Sequence, residues 1–123
     1  MLLKSDPVNA FLAYEGAAVP SATTGPLKGL TFAVKDIFDV AGYPTGGGSP
    51  VKHAESPIHT ETAPIVASML AAGARFVGKT QTDELTFSMN GQNKHFPEPI
   101  NVRAEGRITG GSSSGSAAAV AAG

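Results

Sequence analysis

The chain has no cysteine among its 123 residues, which excludes disulfides, a thiolate nucleophile and any zinc site built on cysteine. It also lacks an excess of charge: nine Lys and Arg stand against ten Asp and Glu, for a net charge of -1. No basic stripe able to grip a phosphate backbone is present and no run of like charge marks a solvated tail, so nucleic acid is not an expected partner. Long apolar runs are missing too. No segment could span a bilayer, and the start, Met1 to Pro7, lacks the apolar core of a secretory signal. The expectation is a cytoplasmic protein with no membrane partner. The three histidines, His53, His59 and His95, do not show the H-E-x-x-H spacing, so no metal site is expected on them.

What remains is an ordinary globular composition, 41% hydrophobic and 15% charged, ample for one domain. Leu30 to Val40 is the clearest strand, with Leu30, Phe32 and Val34 on one face and Thr31, Ala33 and Lys35 on the other. Lys35 thereby ends a core strand. Gly42 to Pro50 holds four glycines and two prolines and is loop. Thr62 reads as the N-cap of a helix with Pro64 in its first turn, an apolar stripe at Ile65, Val66, Met69 and Leu70, and a stop at Gly73. Ala74 to Gly78 follows as a short strand. Strand, helix, strand predicts a right-handed βαβ unit in a parallel sheet, and with it an α/β fold.

The rest is less regular. Asn9 to Glu15 is an apolar run that suits strand or helix, and residues 16–26 form a Pro/Gly/Thr loop. Thr82 to Leu85 carries a capping residue and an acidic first turn, which predicts a short helix. Asn90 to Thr109 is polar loop. From Thr109 a Gly/Ser-rich turn empties into the helix former Ala117–Ala122. The N-terminus of that helix could hold an anion or oxyanion beside several hydroxyls. An Ala/Val helix should be covered on more than one side, so the chain is expected to be the N-terminal part of a longer protein.

Several catalytic patterns fail on inspection. Gly111 to Gly115 fits G-x-S-x-G, but no apolar strand precedes it and all three histidines lie upstream, against the order of an elbow triad. The loop does not end in G-K-[ST], so it is not a phosphate cradle. Ala33-Val34-Lys35 lacks the other kinase motifs. Two readings of Lys35 stay open: a solvated surface charge, or a desolvated lysine whose lowered pKa lets it act as base to one of the serines at 112 to 114.

Leu30-Thr-Phe-Ala-Val-Lys-Asp and Gly110-Gly-Ser-Ser-Ser-Gly-Ser-Ala-Ala-Ala-Val-Ala-Ala, in that order, resemble the lysine strand and the Gly/Ser-rich signature of the amidase signature family. Thr62-Ala-Pro-Ile-Val, Leu70-Ala-Ala-Gly-Ala-Arg, Thr82-Asp-Glu-Leu and Asn90-Gly-Gln-Asn follow the same course. Asp36-Ile-Phe-Asp-Val and the Gly-Gly-Ser-Ser-Ser-Gly-Ser form are most similar to indole-3-acetamide hydrolases. The resemblance implies residues 25–123 as the N-terminal part of an amidase domain, a mixed-sheet α/β/α fold incomplete here, with residues 1–24 as an N-terminal extension. It implies an amide hydrolase with a Ser, cis-Ser, Lys triad acting on a small carboxamide such as an arylacetamide, without a cofactor. Lys35 matches the base and Ser112 the bridging serine whose preceding peptide is cis; the nucleophile falls beyond Gly123, so the chain alone should be inactive. The alternatives are a glutamyl-tRNA amidotransferase A-type subunit, which shares the motifs, and a non-catalytic remnant that binds a small anion or another polypeptide. These readings allow a homodimer or an amidotransferase-type partner.

Overall fold

In the computed structural model, which describes residues 3–16 and 18–123, the βαβ unit forms as the α/β pattern implies. Strand β1 is Thr31–Lys35 and strand β2 is Arg75–Thr80, paired in parallel. Between them run helix α1, Pro50–Glu55, and helix α2, Pro64–Ala71. A 3-10 turn, Glu84–Thr86, and helix α3, Ser114–Ala122, complete the order.

One irregularity in the sheet decides where its charges go. Phe32 pairs with Phe76, but Ala33 pairs with Gly78 and Val34 with Lys79, so β2 carries one extra residue at Val77. Side chains alternate along a strand, and Phe76 and Lys79 would ordinarily face opposite sides. The bulge puts both on the side of Phe32 and Val34. On that side Val34, Val40, Tyr43, Val66, Leu70 and Phe76 form the main core, with Tyr43 and Phe76 meeting edge to face at 5.3 Å. Each such side chain, fully buried, contributes about 1.5–3 kcal/mol.

The other side carries α3. Thr80, register partner of Lys35, meets Ser116 of α3, oxygen to oxygen, at 2.8 Å. Ala118 packs with Val8 and Ala10. The run from Asn9 to Glu15, open between strand and helix from its sequence, lies antiparallel to β2 through a single bridge, Phe11 to Thr80, flanked by Leu12 N–H to the Lys79 carbonyl at 2.9 Å and Gln81 N–H to the Ala10 carbonyl at 2.9 Å. Asp6 anchors it by accepting the amides of Ala10 and Phe11. Residues 1 and 2 of the N-terminal extension and residue 17 of the loop expected over 16–26 lie outside the described residues.

Some local expectations give way. The N-cap of α2 is Ala63, with no side-chain cap bond, because the Thr62 hydroxyl instead accepts the amide of Ala41 at 3.0 Å. Thr82–Leu85 yields only a 3-10 turn: Leu85 and Thr86 have φ of 49 and 60, outside any right-handed helix. Helix α1 follows Ser49, whose side chain accepts the Lys52 amide, and Pro50 in its first turn. It buries no residue, so no apolar stripe announces it. Helix α3 buries Ser114, Gly115 and Ala118 while Val120 is 83% exposed; it is covered along one line rather than all round.

Candidate active site

Alternation along β1 sends Lys35 and Asp36 to opposite sides, and each organises a centre. Asp36 is wholly buried and pairs with the equally buried Lys79 at 3.0 Å. Its Oδ2 accepts the Tyr14 hydroxyl at 2.5 Å and the Gly46 amide at 3.1 Å. The Lys79 ammonium also donates to the carbonyl oxygens of Phe38 and Pro44 and the hydroxyl of Thr45. These donors and acceptors hold residues 36–49 in place, and residues 43–49 are buried. The glycine-rich loop is thus a fixed wall. Burial first, and then Asp36, raise the Tyr14 hydroxyl, keeping it a proton donor to the carboxylate.

The second centre is at the open end of the sheet. Lys35 Nζ donates to Ser112 Oγ at 2.6 Å across 77 positions of sequence, and both residues are half-buried. The Gly111–Ser112 peptide is cis. Burial lowers the lysine's pKa from its ordinary value, and the charge of Asp83 opposes that shift. A lysine that gives up its proton readily, in contact with a hydroxyl, can take a proton from it. Gly111 and Ser113, flanking the serine, are exposed, which leaves Ser112 open to a reacting group from outside.

The residues that position Ser112 are not those the motif names. Asp83, 2% exposed, donates its backbone N–H to the Ser112 carbonyl at 3.0 Å. Its Oδ2 accepts the Gly91 amide at 3.2 Å. A Cβ on Gly111 would stand 2.3 Å from that same Oδ2, so only glycine fits before the serine. In the sequence Asp83 reads as part of a helix's acidic first turn, since an acidic residue beside a capping threonine satisfies that rule and nothing local signals a partner at Ser112. Ser113 occupies the N-cap of α3, with no side-chain cap bond.

Comparison with known proteins defines the class. The family model described as Amidase matches residues 9–123, and the chain belongs to this amidase-signature family. Among its relatives, Amidase 1 of Oryza sativa subsp. japonica is 52% identical over 84% of this chain and 24% of its own length. The chloroplastic outer envelope protein 64 of Arabidopsis thaliana is 47% identical over 83% of this chain and 17% of its own. The crystal structure of the A-type subunit of glutamyl-tRNA(Gln) amidotransferase from Thermotoga maritima superimposes with a TM-score of 0.76 at 32% identity, over 92% of this chain and 24% of that one. The chain spans a quarter or less of the length of these relatives.

The envelope protein overturns the expectation of cytoplasmic residence. A protein named for an organellar membrane carries this stretch at close to half identity, so the missing signal and missing apolar run say nothing about compartment. Among the described residues no helix is long and apolar enough to cross a membrane.

Proposed function

We propose that this chain carries the proton relay of an amide hydrolase of the Ser, cis-Ser, Lys type. In the working enzyme neutral Lys35 accepts the proton of Ser112 while Ser112 accepts one from a nucleophilic serine supplied from beyond Gly123. That serine's oxygen attacks the amide carbon, the C–N bond breaks, the amine leaves with a proton, and water then cleaves the ester. The observation that carries this reading is the 2.6 Å contact between Lys35 Nζ and Ser112 Oγ, with a lysine whose burial favours the neutral form. Residues 25–123 act as the N-terminal part of the amidase domain, with residues 1–24 an extension. The 123 residues alone are inactive, because oxyanion donors as well as the nucleophile are absent from the relay, and one such donor is worth about 10²–10³ in rate. The substrate is a small carboxamide of the arylacetamide kind, a reading that rests on the resemblance of Asp36-Ile-Phe-Asp-Val and the Gly-Gly-Ser-Ser-Ser-Gly-Ser form to indole-3-acetamide hydrolases.

The test joins residues 9–123 to the remainder of that rice protein and assays hydrolysis of arylacetamides. Lys35→Ala and Ser112→Ala should each lower kcat by about 10²–10⁴-fold, the usual worth of a positioned acid–base group. Full activity in Lys35→Ala would end the proposal. A second reading, an amidotransferase A-type subunit working with a further polypeptide, is favoured by the coverage of 92% of the chain by the Thermotoga protein. Glutamine and misacylated tRNA in the same assay panel separate the two.

A further inference from the structure

We propose that Asp83 is the positioning residue of the Lys35–Ser112 pair: its backbone holds Ser112, and its buried carboxylate fixes the turn before that serine. The inference rests on the relay reading above only for its catalytic consequence. Its geometry stands apart.

Three contacts converge on this one residue. Asp83 N–H donates to the Ser112 carbonyl at 3.0 Å. The carboxylate takes the Gly91 amide at 3.2 Å and fills the space where a Gly111 side chain would be. Gly111 N–H in turn reaches the Met89 carbonyl at 3.0 Å, so the strand of loop from Met89 to Gly91 and the turn at Gly111 are stitched together around Asp83. A helix cap, the local alternative, is not what the side chain does: the 3-10 turn that follows has no side-chain cap bond. The other carboxylate oxygen, Oδ1, is buried without a hydrogen-bond partner. An uncompensated buried carboxylate costs several kcal/mol, and a nearby ammonium offsets that cost.

The charge that opposes the lowering of Lys35's pKa is that of Asp83. Helices α2 and α3 carry no ionisable side chain. On β2, Lys79 faces the opposite side and is engaged by Asp36, while Arg75 lies at the far end of the strand. Glu84, next to Asp83, is turned to His95 at 3.0 Å. The loop before α3 offers Lys35 only the hydroxyl of Ser112.

The experiment uses the 123-residue chain and needs no turnover. With the lysine side chains labelled with 13C at Cε, NMR follows the titration of Lys35, identified by its loss in Lys35→Met. In Asp83→Asn, which keeps shape and removes charge, the Lys35 midpoint should fall below that of the parent; an unchanged midpoint in a folded variant overturns the proposal. Should that variant fail to fold, the parent chain decides. Loss of a nearby charge shifts a carboxylate's carbon signal, so the Asp83 carboxyl signal of the parent must move at the pH where Lys35 loses its proton, and its absence overturns the proposal equally. An inactive Lys35 with intact coupling would sink the relay and leave Asp83's role standing; the converse would do the reverse.

Discussion

Lys35 and Lys79 sit on adjacent strands of one small sheet, one position out of register, and have been put to opposite uses. Both lose hydration, which lowers the pKa of each. Lys79 recovers part of what it loses through Asp36, two carbonyls and a hydroxyl. Lys35 recovers little: one serine hydroxyl and the charge of Asp83. A fully paired buried ammonium is a fastener, and a poorly paired one is a reagent. The bulge at Val77 makes the difference, since without the extra residue Lys79 would face the same side as Lys35.

The largest effect expected from breaking this comparison is on the fastener. Lys79→Met leaves Asp36 buried and unpaired, and removal of one partner of a buried pair costs about 3–5 kcal/mol. Urea denaturation should show that loss or an unfolded chain. The double variant Lys79→Met with Asp36→Leu should recover part of it, because no charge is then stranded. A Lys79→Met chain as stable as the parent would mean that the pair is not what fixes residues 36–49.

Lys35→Met should leave stability within about 1 kcal/mol of the parent, a lost hydrogen bond being set against relief of the ammonium's desolvation. Its effect on pH dependence is sharper. Lys35 titrates below its ordinary value of 10.5 in the folded chain and returns to that value on unfolding. Between the two values the unfolded state binds more protons, so stability rises with pH through that window, and below the folded value the cost of the ammonium is fully present. As pH rises toward 10.5 the parent's denaturation midpoint should therefore gain on that of Lys35→Met. Equal slopes in the two chains would remove the case for a strained lysine.

What the sequence made legible follows the range of the forces involved. Period-two alternation put Lys35 at the end of a core strand, the Gly/Ser turn marked the start of α3, and the family resemblance joined Lys35 to Ser112. Long-range polar contacts left no such trace. Asp36 follows Lys35 directly, yet nothing near it tells that Lys79, 43 positions on, is its partner. Asp83 satisfied a local helix-start rule that the backbone then declined, with Leu85 and Thr86 at positive φ. The extra residue at Val77 is invisible too, because β2 reads as apolar with or without it.

Close packing beneath α3 supplies a further prediction. A Cβ on Gly115 would meet the Ala10 carbonyl at 2.2 Å and the Gln81 amide at 2.4 Å, both held in a ladder with Gly115 itself. Gly115→Ala should cost about 1–3 kcal/mol by forcing the helix off the strand, measured by the same denaturation. A neutral outcome would mean that α3 is free to shift, and the Lys35–Ser112 contact with it.

The smallest effect concerns two serines in the same formal role. Ser49 and Ser113 are both N-caps, but only Ser49 accepts a helix amide through its side chain, that of Lys52 at 3.3 Å. Loss of a capping hydroxyl typically costs about 0.5–2 kcal/mol. Ser49→Ala should fall in that range, since the amide it satisfied is left without its acceptor. Ser113 makes no such bond and is exposed, so Ser113→Ala should stay within about 0.5 kcal/mol of the parent. The contrast shows that the serines after Gly111 are not there to start a helix: its first turn is fastened through backbone, the Gly115 amide to the Gln81 carbonyl at 3.1 Å, and the Ser112 hydroxyl goes to Lys35 instead. A loss in Ser113→Ala as large as in Ser49→Ala would return that turn to a structural role.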